Sequence, residues 1–100
     1  MEKKTTVLVI GRHEAMLTKV VAELNALGYQ ALGSAHNEAA LQLGKERALD
    51  VVLIGGGVDA GSRATFQAEF PQWNPNVVVR DIFPHNYLQV LQSALSTTQV

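Results

Sequence analysis

Val51-Val52-Leu53-Ile54 is an uninterrupted apolar run, β-branched at three of its four positions, bounded by Asp50 and by Gly55-Gly56-Gly57. A run this short, with no polar alternation, reads as a strand buried on both faces, as in a parallel sheet with helices above and below. Val7-Leu8-Val9-Ile10, closed by Gly11, and Val77-Val78-Val79 have the same character. Strands buried on both faces require a layer on each side, and the segments between these runs are long enough to supply helices. That requirement confines the chain to an alternating α/β architecture.

Taken in order, Glu14 to Leu27 shows helical spacing, with Leu17, Val20 or Val21, Leu24 and Leu27 three or four residues apart. Gly28 suits the left-handed position past a helix end. Tyr29 to Ala35 reads as a modest strand, less apolar and carrying Gly33, and therefore belongs at a sheet edge. His36 or Asn37 caps a second helix that carries Ala39, Ala40, Leu41 and Leu43 and runs to about Arg47. Gly44 in its middle costs about 1 kcal/mol relative to alanine and predicts a short or closely packed helix. After the glycine loop, Arg63 to Gln72 is helical, with Phe66, Phe70 and Trp73 on one face as core, Trp73 being the one placed for exposure. Pro71 and the Asn74-Pro75-Asn76 turn are expected to end that helix. Pro84 stands at a helix start, and Tyr87, Leu88, Leu91 and Leu95 form a last amphipathic helix. The order βαβαβαβα with right-handed crossovers predicts a three-layer, doubly wound parallel sheet of four strands in the order 2-1-3-4. All 100 residues are assigned to a single domain, with residues 1–5 and 97–100 expected to fray.

Charge and composition narrow the functional classes. The net charge is −1, and the eight lysines and arginines form no basic run and are not interleaved with aromatics, so nucleic-acid binding is not expected. No apolar stretch approaches the roughly 20 residues of a membrane helix, and Val7 to Ile10 is too brief for a signal sequence. Without cysteine there is no disulfide framework, thiol nucleophile or thiolate metal site, and a cytoplasmic location is the default.

The joint order and spacing of these segments resembles the receiver domain of bacterial response regulators, which has a flavodoxin-like fold. Val7-Leu8-Val9-Ile10 with the helix ending Leu24-Asn25-Ala26-Leu27-Gly28-Tyr29 is similar to that family's first strand and helix. Ser34 to Leu41 is similar to its second strand end and helix start, Asp50 to Ile54 to its third strand, and Arg80 through Leu88 to its lysine loop and last helix. The resemblance implies two acidic residues after the first strand to hold Mg²⁺, a phosphoacceptor aspartate closing the third strand, and a lysine followed by a proline. This chain has Gly11 and Arg12 at the acidic pair, Gly55 at the phosphoacceptor, Arg80 at the lysine and Asp81 at the proline. A hard cation takes carboxylate oxygens, and an aspartyl phosphate requires a carboxylate. Asp59 lies four residues beyond Gly55, too far to substitute. Four strands and four helices, against the family's five of each, imply a shortened receiver-like fold. The missing unit lies on a face many receivers use to dimerise or signal, which leaves Val77 to Val79 as a new sheet edge.

Two functions follow as expectations. The first is a receiver-like signalling module that is not phosphorylated on aspartate, is not an enzyme, and works through a protein partner, its contact surface including Val78, Arg80, Tyr87 and Leu91. A weak homodimer through the Val77–Val79 edge or the final helix belongs to the same expectation. The alternative is a module binding a phosphate-bearing or nucleotide ligand at Gly55-Gly56-Gly57 and Gly61-Ser62-Arg63, with Arg12 adding charge. That loop is neither a Walker loop nor a dinucleotide fingerprint. His13, His36 and His85 each follow a strand, with Glu14 as a further donor, but no tight ligand spacing is present and no metal or cofactor is assigned. Ser34 and Ser62 lack a base at recognisable spacing. Asp81 beside Arg80 reads as a solvated loop pair.

Overall fold

Strand and helix alternate strictly in the computed structural model, which describes residues 5–83 and 86–98, with side chains through residue 95. The elements are β1 (Thr6–Ile10), α1 (Glu14–Ala26), β2 (Gln30–Ser34), α2 (Asn37–Glu46), β3 (Val51–Gly55), α3 (Ala60–Trp73), β4 (Val78–Ile82) and α4 (Tyr87–Thr98). All three strand pairings are parallel and the sheet order is β2-β1-β3-β4, as the sequence predicts.

The two central strands explain the apolar runs. Val7, Val9, Val51 and Leu53 face α1 and α4, where they meet Val20, Leu24, Tyr87 and Leu91. Leu8, Ile10, Val52 and Ile54 face the other way, onto Ala40, Phe66 and Phe70 of α2 and α3. Every one of these eight strand positions is buried, so polar alternation would have placed a polar side chain in one core or the other. Phe66 and Phe70 stack at 5.7 Å, and the half-buried Trp73 meets Phe70 edge-on at 6.2 Å with Lys45 over its indole. Gly44 is buried against Phe70, which accounts for a glycine inside α2. Gly28 ends α1 with φ of 100°, a conformation a side chain strains.

Three boundaries differ from expectation. α3 begins at Ala60 because Asp59 caps it, and it passes through Pro71 to Trp73. The missing Pro71 N–H falls within the last turn, and the Asn74 amide completes that turn on the Phe70 carbonyl at 2.9 Å. β4 extends to Ile82, so Arg80 and Asp81 are strand residues paired with Leu53 and Ile54 rather than a loop pair. An edge strand with its polar side chains in water tolerates both. The predicted helix-start proline, Pro84, lies outside the described residues.

Both sheet edges carry a polar cover. On β2, the Asn25 amide accepts from the Ala31 N–H at 2.9 Å and donates to its carbonyl at 3.4 Å. On β4, the Val78 N–H donates to the carbonyl of Asp50, just before β3, so alternation turns the neighbouring Val79 carbonyl outward, where Arg80 donates to it at 3.1 Å.

Candidate functional site

The carboxyl ends of β1, β3 and β4 converge where the chain leaves β1 for β2 on one side and returns to β3 on the other. In an open α/β sheet this crevice is the usual ligand position. Its side chains are few. Gly55 closes β3 so near to β1 that an added Cβ would stand 3.2 Å from the Ile10 carbonyl oxygen. A Cβ on Gly56 would meet the Phe83 ring at 3.0 Å, so that ring covers the glycine turn. The turn closes through the Val58 amide on the Gly55 carbonyl at 3.2 Å, and the buried Val58 side chain pins it to the α2/α3 core.

The loop arginines are committed to acceptors within the protein. Arg63, in the first turn of α3, donates through Nη2 to the Val58 carbonyl at 2.7 Å and to that of Gly55 at 3.4 Å. Its Nη1 pairs with Asp81 of β4 at 2.8 Å. Arg12 donates to the Ala35 carbonyl at 2.8 Å and to Asn37 Oδ1 at 2.5 Å, with Asp59 3.8 Å away. Asn37 donates in turn to Ser62 Oγ at 2.7 Å, and Ser62 Oγ donates to Asp59 at 2.7 Å. Arg12, Asn37, Ser62 and Asp59 thus form a ring linking the end of β1 to the starts of α2 and α3. The Asp59 carboxyl is held below the usual range first by the Ser62 hydroxyl and backbone N–H, with the Arg12 charge adding to them. That carboxylate accepts the Ser62 N–H at 3.0 Å and so occupies the N-terminus of α3.

The candidate anion loop therefore presents bonded groups: Arg12, Ser62 and Arg63 all have internal partners, and Gly61 lies in the capped turn. His13 and His36 are exposed at the starts of separate helices and neither caps its helix through the side chain, while His85 lies outside the described residues. No group of three or more metal-ligating side chains occurs among the described residues. Ser34 is buried and donates to the His36 carbonyl.

The proposed contact surface needs correction. Leu91 is fully buried and Tyr87 is 7% exposed, because both face the sheet as core residues of α4. Val78 is half-buried against the same core, leaving Arg80 as the exposed member of that set. Tyr87 donates its hydroxyl to Glu23 of α1 at 2.5 Å, and burial, then that carboxylate, pushes the phenol up to about 12.

Beside the glycine turn a cleft of about 320 Å³ opens between the starts of α1 and α4. Gly11 and Gly55 to Gly57 line it from the strand ends, Val20, Leu17 and Met16 from α1, and Ile82, Phe83 and Tyr87 from the β4–α4 side. Met16 and Phe83 are 40% and 51% exposed. Sequence reasoning named Asn37 only as a helix cap and gave no place in the site to Met16 or Phe83. The Asp59 cap had a signal, an aspartate immediately before a helix with serine three positions on.

No protein-family model and no curated protein matches the chain. Solved structures do resemble it. The signal receiver domain of an HD domain-containing protein from Pseudomonas fluorescens Pf-5 superposes with a TM-score of 0.74 at 16% identity, covering 99% of this chain and 92% of that one. A CheY-like response regulator receiver domain from Methylobacillus flagellatus gives 0.63 at 16% identity, covering 92% and 99%. A putative pilus assembly-related protein from Burkholderia pseudomallei K96243 gives 0.63 at 16% identity over 96% of this chain and 75% of that one. Likeness at this identity is one of fold: the chain has the flavodoxin-like fold of receiver domains, built here from four strands and four helices.

Proposed function

We propose that this chain is a receiver-like signalling module that takes no phosphoryl group on aspartate and acts through protein–protein contact. One observation carries the reading: the ends of β1 and β3, where the resemblance calls for three carboxylates, hold Gly11, Arg12 and Gly55. Phosphoryl transfer to a side chain needs a nucleophilic carboxylate, and Mg²⁺ needs oxygen ligands around it. Asp59 and Asp81, near those strand ends, have other work, Asp59 at the α3 cap and Asp81 with Arg63. The exposed Arg80 on the edge strand β4 is the contact we assign to a partner, or to a second copy in a weak dimer. No described helix is long and apolar enough to cross a membrane, and a cytoplasmic site of action goes with the reading.

The test is incubation with acetyl phosphate and Mg²⁺ followed by intact-mass measurement. The expected mass is unchanged, and a hydroxylamine-labile phosphoryl adduct would overturn the proposal. The rival, a phosphate-bearing or nucleotide ligand at Gly55 to Arg63, has less support, because Arg12 and Arg63 already have acceptors and Asp59 occupies the helix N-terminus. A nucleotide that raises the melting temperature in a saturable way would restore it.

A further inference from the structure

We propose that the cleft between the starts of α1 and α4 binds a small, neutral, apolar molecule. This goes beyond the signalling reading and does not depend on it. The position is one argument. The cleft opens over the junction of β1 and β3, where strand order reverses and α/β sheets place their ligands.

The chemistry of the walls is a second and independent argument. Val9, Val20, Leu17 and Ile82 give aliphatic surface, and Met16 is an unbranched, polarizable side chain that adapts to an occupant's shape. Gly11 and the glycines after β3 contribute no side chains, and it is at Gly11 that an added Cβ would meet nothing within 4 Å, so the open stretch of backbone wall is there. Of the polar side chains that line the cleft, Arg12 and Tyr87 have partners outside it, and His13 is exposed. The Arg12 guanidinium is on Ala35 and Asn37, and the Tyr87 hydroxyl is on Glu23. An anion entering here would lose its hydration and find the Arg12 guanidinium already on other acceptors, whereas an apolar molecule loses only unfavourable contact with water.

Size and rim agree. A volume of about 320 Å³ sits at the lower end of small-molecule pockets, which begin at roughly 300 Å³. Met16 and Phe83, each partly exposed, line the cleft, so an occupant would bury more of both as well as fill the space. The same geometry argues against a protein side chain as principal occupant, because a concave, half-enclosed site suits a compact molecule better than a flat interface.

The experiment is a fluorescence titration of the full chain with N-phenyl-1-naphthylamine, a neutral probe that brightens in apolar surroundings, with naphthalene as competitor and inorganic phosphate as control. Saturable one-to-one binding is expected, displaced by naphthalene and indifferent to phosphate. Gly11→Leu should weaken it by roughly tenfold or more, since a Cβ at Gly11 meets nothing within 4 Å and the side chain would grow into open space at the cleft. Met16→Lys, at an exposed position, should weaken it similarly while leaving circular dichroism and melting unchanged. A linear, non-saturating rise in fluorescence would overturn the proposal. So would unaltered affinity in folded Met16→Lys, or displacement of the probe by phosphate.

Discussion

Gly44→Ala sets two effects of known size against each other inside α2. In an exposed helix interior the substitution stabilises by about 1 kcal/mol, because alanine is the better helix former. Here the new Cβ would lie 2.5 Å from Phe70 Cε1, 2.6 Å from its Cδ1 and 3.1 Å from Trp73 Cε3. Carbon atoms prefer roughly 3.5–4.0 Å, so the ring has to retreat by about 1 Å. It has little room, being fully buried between Phe66 and the edge-on Trp73. Overpacking of this kind costs about 1–3 kcal/mol, and the depth of the clash puts it toward the upper end. The net expectation is a loss of about 1–2 kcal/mol, and with about 4–8 °C per kcal/mol in a domain of this size the melting temperature should fall by roughly 5–15 °C. Urea and thermal unfolding followed by circular dichroism measure both quantities. Phe70→Leu should cost less in the Gly44→Ala background than alone, with a coupling of about 0.5–3 kcal/mol. A rise in melting temperature, or strictly additive costs, would refute the packing argument.

Three other outcomes are expected. Arg63→Met removes two bonds to loop carbonyls and a partly exposed ion pair, and should cost about 1–3 kcal/mol, with amide exchange accelerated at Val58 more than at Val51. Equal exchange at the two sites would show that Arg63 does not clamp the turn. In a Tyr29→Phe background, the ultraviolet absorbance of the phenolate should report Tyr87 ionising near 12. Because the folded phenol sits above its ordinary value of 10, its contribution to stability is complete below pH 10 and is lost as pH rises through about 12. Glu23→Gln should move the midpoint down, and a midpoint unmoved by that change would remove Glu23 as a cause. Gly28→Ala places a side chain at φ of 100° and should cost about 1–2 kcal/mol, measured by urea unfolding, with no change expected in strand pairing.

Much of the fold was legible because burial on both faces leaves a plain mark. Val7 to Ile10 and Val51 to Ile54 have no polar residue to offer either side, and both lie buried at the sheet centre. Legibility failed where one side of an element faces water. β4 continues through Arg80 and Asp81, residues that break an apolar run but are acceptable on an edge strand. Tyr87 and Leu91 were legible as an amphipathic stripe, yet their spacing does not say whether the stripe meets the sheet or a partner. Their burial answers that, and moves the contact surface away from α4. Pro71 reads as a helix end by local rules, but its missing donor has little consequence in a last turn closed by Asn74.

The site was legible in its occupants and not in their connections. Gly11, Arg12, Gly55 and Arg63 are visible in sequence as the residues at the strand ends. Nothing local indicates that Arg12 reaches Asn37, 25 positions away, or that Arg63 reaches Asp81 on β4. Those partners decide the chemistry. An arginine facing an open glycine loop makes an anion site, but one whose guanidinium already holds acceptors elsewhere leaves mainly its aliphatic stem toward the space beside it. Arg12 is the case in point, since its Cβ and Cγ are the atoms a Cβ on Gly57 would touch, at 3.6 and 3.7 Å. The same glycines that read as a phosphate cradle therefore become one wall of an apolar cleft once the arginine heads are turned away. Anion and apolar molecule are distinguished here by where the Arg12 guanidinium points, a property of the assembled fold. A variant that frees Arg12, such as Asn37→Ala with Asp59→Ala, should then shift the cleft's preference from naphthalene toward phosphate. An unchanged preference in that variant would mean that the direction of Arg12 does not set the chemistry of the cleft.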